Sequence, residues 1–276
     1  MMPAKKIIAF IGAGNMTRAL VSGLIQNNVP ADHIWVSSPE ITKRHYEQLH
    51  PKIHATTNNI EAVKHANVIV LAVKPTHMKL VCTELSAMIL EKKPLLISIA
   101  TGITIESIQK WIGNVDCNII RTMPNIAAAV AASTTGLYAK SCISEGQKHW
   151  TESFFRSVGS TIWLENESQL DAITAISGSG PAYLFYIFEA MQNAAMALNI
   201  PEHIAKWLVS ETAISATTMA SESDDTFRQL RDFVTSPNGT TRAALNVLDR
   251  HQVQMIFKDA IEAAHVRAQE LSKENS

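Results

Sequence analysis

The chain has 276 residues, 24 basic and 25 acidic, giving a formal net charge of −1 with 46% hydrophobic residues. That length fits one or two domains, and two is the expectation. Balanced charge without a basic run interleaved with aromatics argues against nucleic acid as a partner. The three cysteines, Cys82, Cys117 and Cys142, are far apart, fit neither a disulfide framework nor a metal knuckle, and read as reduced cytoplasmic thiols.

The N-terminus, MMPAKKIIAFIGAGNM, has a basic start and an apolar run like those of a signal peptide, but the run leads straight into a glycine turn. Up to about residue 165, strand-length apolar runs alternate with helical patterns: KIIAFIG, HIWVSS, NVIVLAV, PLLISIA and CNIIRTM. Apolar runs without polar alternation predict strands covered on both faces, and strand–helix alternation predicts a doubly wound parallel sheet. This α/β part is expected to span residues 1–165.

Beyond it the composition shifts to alanine, methionine and polar residues at helical spacing, predicting an all-helical domain over residues 166–276. Ser179, Gly180 and Pro181 start one helix and Pro201 the next, since proline costs nothing at the first turn. A further helix runs from Thr226 to Phe233, and the last from about Val253 to Leu271. PAYLFYIFEAMQNAAMALNI carries Glu189, Gln192 and Asn193, so it reads as a buried helix of a soluble protein and not as a membrane span. Helices apolar on so many sides need more cover than a small domain supplies, which predicts a homodimer or a larger homo-oligomer.

Gly12 and Gly14 fall where the first strand gives way to the first helix, the place where a dinucleotide pyrophosphate meets free helix amides. Thr17 replaces the third glycine or alanine of that fingerprint, so this is a Rossmann-type signature with one departure. The second strand ends in Ser37 and Ser38, followed by Glu40, Lys43 and Arg44. Hydroxyls with cations favour NADPH, with NADH possible. Lys74, Pro75 and Gly102 follow further strands, on the edge where open parallel sheets bind ligands.

Ten histidines invite a metal reading, but no paired histidines precede a glutamate and no Cys-x-x-Cys occurs, so no metal is expected. His45, His50 and His54 read as surface residues. GSGPAY lacks the frame of a serine elbow because position 177 is serine, so Ser179 reads as a helix cap.

Taken together, FIGAGNM, AVKP, RTMPN, GSGPAY and TSPNGTT stand in the order and near the spacing of the pyrroline-5-carboxylate reductases, which the chain resembles from Gly12 to Thr241. The resemblance implies hydride transfer from NAD(P)H to the imine of Δ1-pyrroline-5-carboxylate, giving L-proline. It also implies a helical domain that interlocks with a partner subunit and a substrate pocket shared between chains. Carried over, Gly12, Ala13, Gly14, Asn15 and Met16 match the cofactor turn, Ser38 and Asn59 the adenosine end, Lys74 and Pro75 the segment along the cofactor. Met123, Pro124 and Asn125 match a loop near the nicotinamide, and Ser236, Gly239, Thr240 and Thr241 the substrate loop. Asn238 departs from the family's usual glycine, although asparagine tolerates left-handed backbone.

The residues themselves fit that last role. Pro237 ends one element, Asn238 and Gly239 make a turn, and Thr240 and Thr241 open a helix whose first amides lack internal partners and can bind a carboxylate. Thr241 is the hydroxyl assigned to hydrogen-bond and orient the ring nitrogen; as a helix cap it has an alternative role. Two alternative functions stay open: reduction of another small cyclic imine or hydroxy acid, and dinucleotide binding without catalysis.

Overall fold

In the computed structural model, residues 6–39, 46, 49–113 and 116–274 are described; Glu40, Lys43, Arg44 and His45 lie outside them. The first unit is an eight-stranded sheet ordered β3-β2-β1-β4-β5-β6-β7-β8. Its strands are β1 Ile8–Ile11, β2 Ile34–Ser37, β3 His54–Thr56, β4 Val68–Leu71, β5 Leu95–Ser98, β6 Ile119–Met123, β7 Ser133–Ala139 and β8 Gly159–Trp163. The five expected strands are all present; β3, β7 and β8 were not read from the apolar runs.

One strand pair departs from the expected parallel arrangement: β6 and β7 are antiparallel, with Ile120 opposite Ala139. The residues joining them make only a short 3-10 turn at Ile126–Val130. A parallel crossover takes roughly a dozen residues or more, so the chain must double back here.

Helices α1 (Asn15–Gln26), α2 (Asn59–Val63), α3 (Pro75–Lys92), α4 (Ile105–Ile112), α5 (Glu145–Arg156) and α6 (Gln169–Ile173) belong to the same unit. Alternate strand residues feed two cores. Ile8, Phe10, Val36 and Val70 pack with Leu20 and Leu24 of α1 and with Trp150 and Phe154 of α5. Ala9, Ile11, Ile69 and Leu71 pack with Met78 and Leu85 of α3 and with Ile108 of α4. This alternation explains the continuous apolar runs: each strand feeds both faces.

The second unit, Gly180–Ala263, is helical: α7 (Gly180–Ala197), α8 (Glu202–Ser221), α9 (Phe227–Phe233), α10 (Thr240–Arg250) and the start of α11 (Val253–Glu274). Residues 166–179 and Ala264 onward group with the sheet unit, so the compact units divide the chain at other points than 165. The remainder of α11 has specific partners there. Ser272 Oγ lies 3.3 Å from Asp171 Oδ1, and a Cβ on Gly102 would come within 2.9 Å of the Leu271 backbone. Gly102, with φ +71°, is therefore a packing glycine as well as a strand-end turn.

The helix α7, read from sequence as buried, has no buried residue. Only Ala205, Val209 and Thr235 are buried in this unit among the described residues, because so few helices cannot cover one another's apolar sides. Elsewhere His54, read as a surface residue, is half-buried and stacks on Trp35 at 4.3 Å. Among the described residues no helix is long and apolar enough to cross a membrane.

Candidate active site

A cleft of about 920 Å³ opens at the C-terminal ends of β1, β2 and β4, where the strand order reverses. Ligands of doubly wound sheets bind at such a switch point. Of the residues expected at the cofactor, Gly12, Ala13, Gly14, Asn15, Ser37, Ser38, Asn59 and Lys74 line it. Met16 packs against the core, and Pro75 opens α3 just behind Lys74, its missing N–H lost where helical bonding has not begun.

The glycine turn is dictated by sterics. Gly12 has φ +111°, its N–H donates to Ser37 O at 2.8 Å, and a Cβ there would sit 2.4 Å from Ala72 O. Gly14 caps α1 without a side-chain bond, and a Cβ on it would meet no atom within 4 Å, so the glycine leaves open space at a helix N-terminus. Thr17 proves compatible with the turn: it is buried, and its hydroxyl donates to Gly12 O at 2.8 Å.

Around this mouth Arg18, Lys74 and His77 supply positive or chargeable groups. The carboxylate of Glu84 accepts from Asn59 Nδ2 at 2.8 Å, and Asn59 Oδ1 accepts from Ser37 Oγ at 2.7 Å. Free helix amides, open space and cations fit a dinucleotide pyrophosphate. Sequence reading missed Arg18, Tyr46, Thr57 and His77 as cleft residues. Arg18 and His77 each stand one helical turn beyond an expected cleft position, Gly14 and Lys74, which was the available signal.

Met123 and Asn125 do not line this cleft. Asn125 is buried; its Nδ2 donates to Ser177 O at 3.0 Å, while its Oδ1 accepts from Ala127 N at 3.1 Å. Met123 Sδ accepts from Thr101 Oγ1 at 3.7 Å, and its methyl lies 3.1 Å from where a Cβ on Gly178 would be. Thus RTMPN is tied to the turn Thr174–Gly178, a π-helical stretch that precedes Ser179. Insertions of that kind concentrate at functional sites. Ser179 itself ends this turn, its N–H donating to Thr174 O at 2.9 Å.

Arg121 of the same motif is 4% exposed, 3.1 Å from Glu167 and 3.7 Å from Asp171. Glu167 also accepts from Ile105 N at 2.8 Å. This buried network was invisible in the sequence because its members come from separate elements; it fixes the strand that carries Met123.

In the helical unit the residues expected in the substrate loop lie in one turn and the helix start after it, residues 236–241. Asn238 adopts φ +60°, the left-handed conformation that a glycine would otherwise supply. Gly239 N–H donates to Ser236 O at 3.2 Å, and a Cβ on Gly239 would stand 2.4 Å from Ser236 Oγ, so a side chain there would have to displace the Ser236 hydroxyl. Gly239 caps α10 without a side-chain bond, and the first backbone bond there is Ala243 N–H to Gly239 O. Amides at Thr240, Thr241 and Arg242 face the loop without helical partners. Thr241 is half-buried, whereas Thr240 and Ser236 are exposed.

The fold and the glycine-turned cleft define a dinucleotide-dependent oxidoreductase with a helical second unit. Two family profiles match: pyrroline-5-carboxylate reductase dimerisation over residues 167–271, and NADP oxidoreductase coenzyme F420-dependent over residues 7–102. A pyrroline-5-carboxylate reductase of Pseudomonas aeruginosa is 40% identical over 267 residues, 97% of each chain. One of Haemophilus influenzae is also 40% identical, over 96% of this chain and 97% of the relative. Among solved structures, a pyrroline-5-carboxylate reductase from Coxiella burnetii is 42% identical with a TM-score of 0.90, covering 98% of this chain and 99% of that one. A Plasmodium falciparum pyrroline carboxylate reductase with NADP bound is 26% identical with a TM-score of 0.87, covering 97% and 98%. The chain belongs to the pyrroline-5-carboxylate reductase family.

Proposed function

We propose that this protein reduces Δ1-pyrroline-5-carboxylate to L-proline with NAD(P)H, the last step of proline biosynthesis, as a cytoplasmic homodimer or larger homo-oligomer. The observation that carries this reading is full-length similarity to curated reductases, with the glycine cleft in the sheet unit and a helix start without a side-chain cap behind a left-handed turn residue in the helical unit. Bound NAD(P)H supplies the hydride; the residues that would hold it are Gly12, Ala13, Gly14, Asn15, Ser38, Asn59 and Lys74. Met123 and Asn125 shape the loop assigned to the nicotinamide end, and they do so through Gly178 and Ser177.

The substrate carries a carboxylate beside a ring nitrogen. The first amides of α10, with the partial positive charge of a helix N-terminus, suit that carboxylate. Thr241 then offers its hydroxyl to the nitrogen, which gains electron density as hydride reaches the neighbouring carbon. A threonine hydroxyl is too weak an acid to be the proton source, so its role is to orient, and the proton comes from the protonated imine or from water. Rate enhancement on this account is mostly positioning.

The test follows loss of reduced-nicotinamide absorbance with Δ1-pyrroline-5-carboxylate and identifies the product by amino-acid analysis. Stoichiometric proline is the expected result. Binding of NADPH with no oxidation above background would overturn the assignment.

A further inference from the structure

Tyr46 is 2% exposed and packs in the core cluster with Leu20, Leu24 and Val36, yet it also lines the dinucleotide cleft. Its hydroxyl is buried and has no hydrogen-bond partner among the described residues. Buried hydroxyls are almost always paired, so an orphan of this kind asks for a missing partner. His33 Nδ1 is also buried without a partner among the described residues, but His33 is not part of the cleft lining.

Arg18 lines the same cleft and is close enough to Tyr46 for its charge to act on the phenol. Burial dominates, however, and pushes the Tyr46 pKa up to about 12, with Arg18 pulling the other way. The phenol therefore stays a neutral donor at working pH. Arg18 is exposed and enters no ion pair among the described residues. The nearby polar groups are differently committed: Ser37 and Glu84 are both bonded to Asn59.

A neutral donor beside a free guanidinium complements an anionic oxygen cluster. A bare ribose hydroxyl would ask instead for an acceptor carboxylate, and Glu84 of the described cleft lining has its Oε2 bonded to Asn59. We infer that Tyr46 and Arg18 select NADPH over NADH, the phenol donating a hydrogen bond to the 2′-phosphate and the guanidinium pairing with its charge. The inference rests on the reading that the cleft holds a nicotinamide dinucleotide. Away from bulk water, the phenol's hydrogen bond meets little competition, so one hydroxyl can carry measurable selectivity.

Dissociation constants for NADPH, NADH, 2′,5′-ADP and 5′-ADP, measured by calorimetry without turnover, test this in wild type, Tyr46→Phe and Arg18→Gln. Tyr46→Phe is expected to weaken NADPH and 2′,5′-ADP by roughly tenfold, the value of a hydrogen bond to a charged group, with NADH and 5′-ADP changed less than about twofold. Arg18→Gln, at an exposed position that does not threaten folding, is expected to weaken the same two ligands by at least as much. An NADPH-to-NADH affinity ratio unchanged in both variants overturns the inference while leaving the proposed reaction intact. Failure of the wild type to bind either dinucleotide overturns both.

Discussion

In the sheet unit, residues such as Phe10, Leu20, Trp150 and Phe154 are sealed between strands and helices; in the helical unit Phe185 is 65% exposed, Trp207 60% and Phe233 81%. The two units have similar appetite for apolar residues and opposite success in burying them. A twisted sheet with helices on both faces closes its own core, whereas a handful of helices with apolar residues on several sides cannot. Exposed apolar surface on that scale marks an interface, and the family profile matched here is one of dimerisation. The folding of the first unit is thus encoded within one chain, and that of the second is expected to depend on protein concentration.

The largest test of this contrast is to charge the uncovered face. Phe185→Asp with Trp207→Asp removes about 1.5–3 kcal/mol of burial per side chain in each subunit, and is expected to yield monomers by light scattering with loss of helical signal. A dimer of unchanged melting temperature would erase the distinction. Within the sheet unit the matching experiment is Arg121→Met, which strands the carboxylates of Glu167 and Asp171; about 3–5 kcal/mol should be lost in chemical denaturation, independent of protein concentration.

Smaller effects separate chemistry from folding. Thr241→Ala should lower kcat/KM by about 10- to 100-fold, the loss of one hydrogen bond to a charged or charging group, and leave NADPH affinity and melting temperature unchanged. Recovery in Thr241→Ser would support the hydroxyl assignment, whereas equal loss in both would point to packing of the threonine methyl, the cap position itself being Gly239. The smallest effect concerns alkali. Burial raises the Cys82 thiol from an ordinary 9.0 to about 12, so its contribution to stability is complete below pH 9 and is lost as pH rises toward 12. Urea midpoints of the wild type should fall over that window more steeply than those of Cys82→Ala; equal slopes would remove Cys82 as a cause.

Much of this arrangement was legible in the residues. Runs such as NVIVLAV gave strands because a strand fed by both cores has no polar alternation, and Pro181, Pro201 and Thr226 marked helix starts through local backbone chemistry. The three strands missed are different in kind: β3 has three residues, while β7 and β8 mix threonine, serine and glycine with apolar residues. The glycine cleft and Asn238 were readable for the same local reason, since φ and Cβ space act within a few residues. Arg121, Tyr46 and the π-helical turn were not, because their significance depends on partners brought from distant positions. The burial of Asn125 belongs with them: its motif was recognised, but its bonds to Ser177 and Ala127 required the fold.

The last helix carries a consequence for synthesis on the ribosome. Ser272 meets Asp171 across a separation of 101 residues, and Leu271 closes over Gly102. The N-terminal half therefore leaves the exit tunnel long before the segment that finishes it. Until α11 has emerged, the nascent sheet must wait with Gly102 and Asp171 uncovered, and the helical unit is threaded into its assembly as an insertion between two parts of an earlier unit. Premature termination within the final turns should thus injure the first-made unit, not only the last.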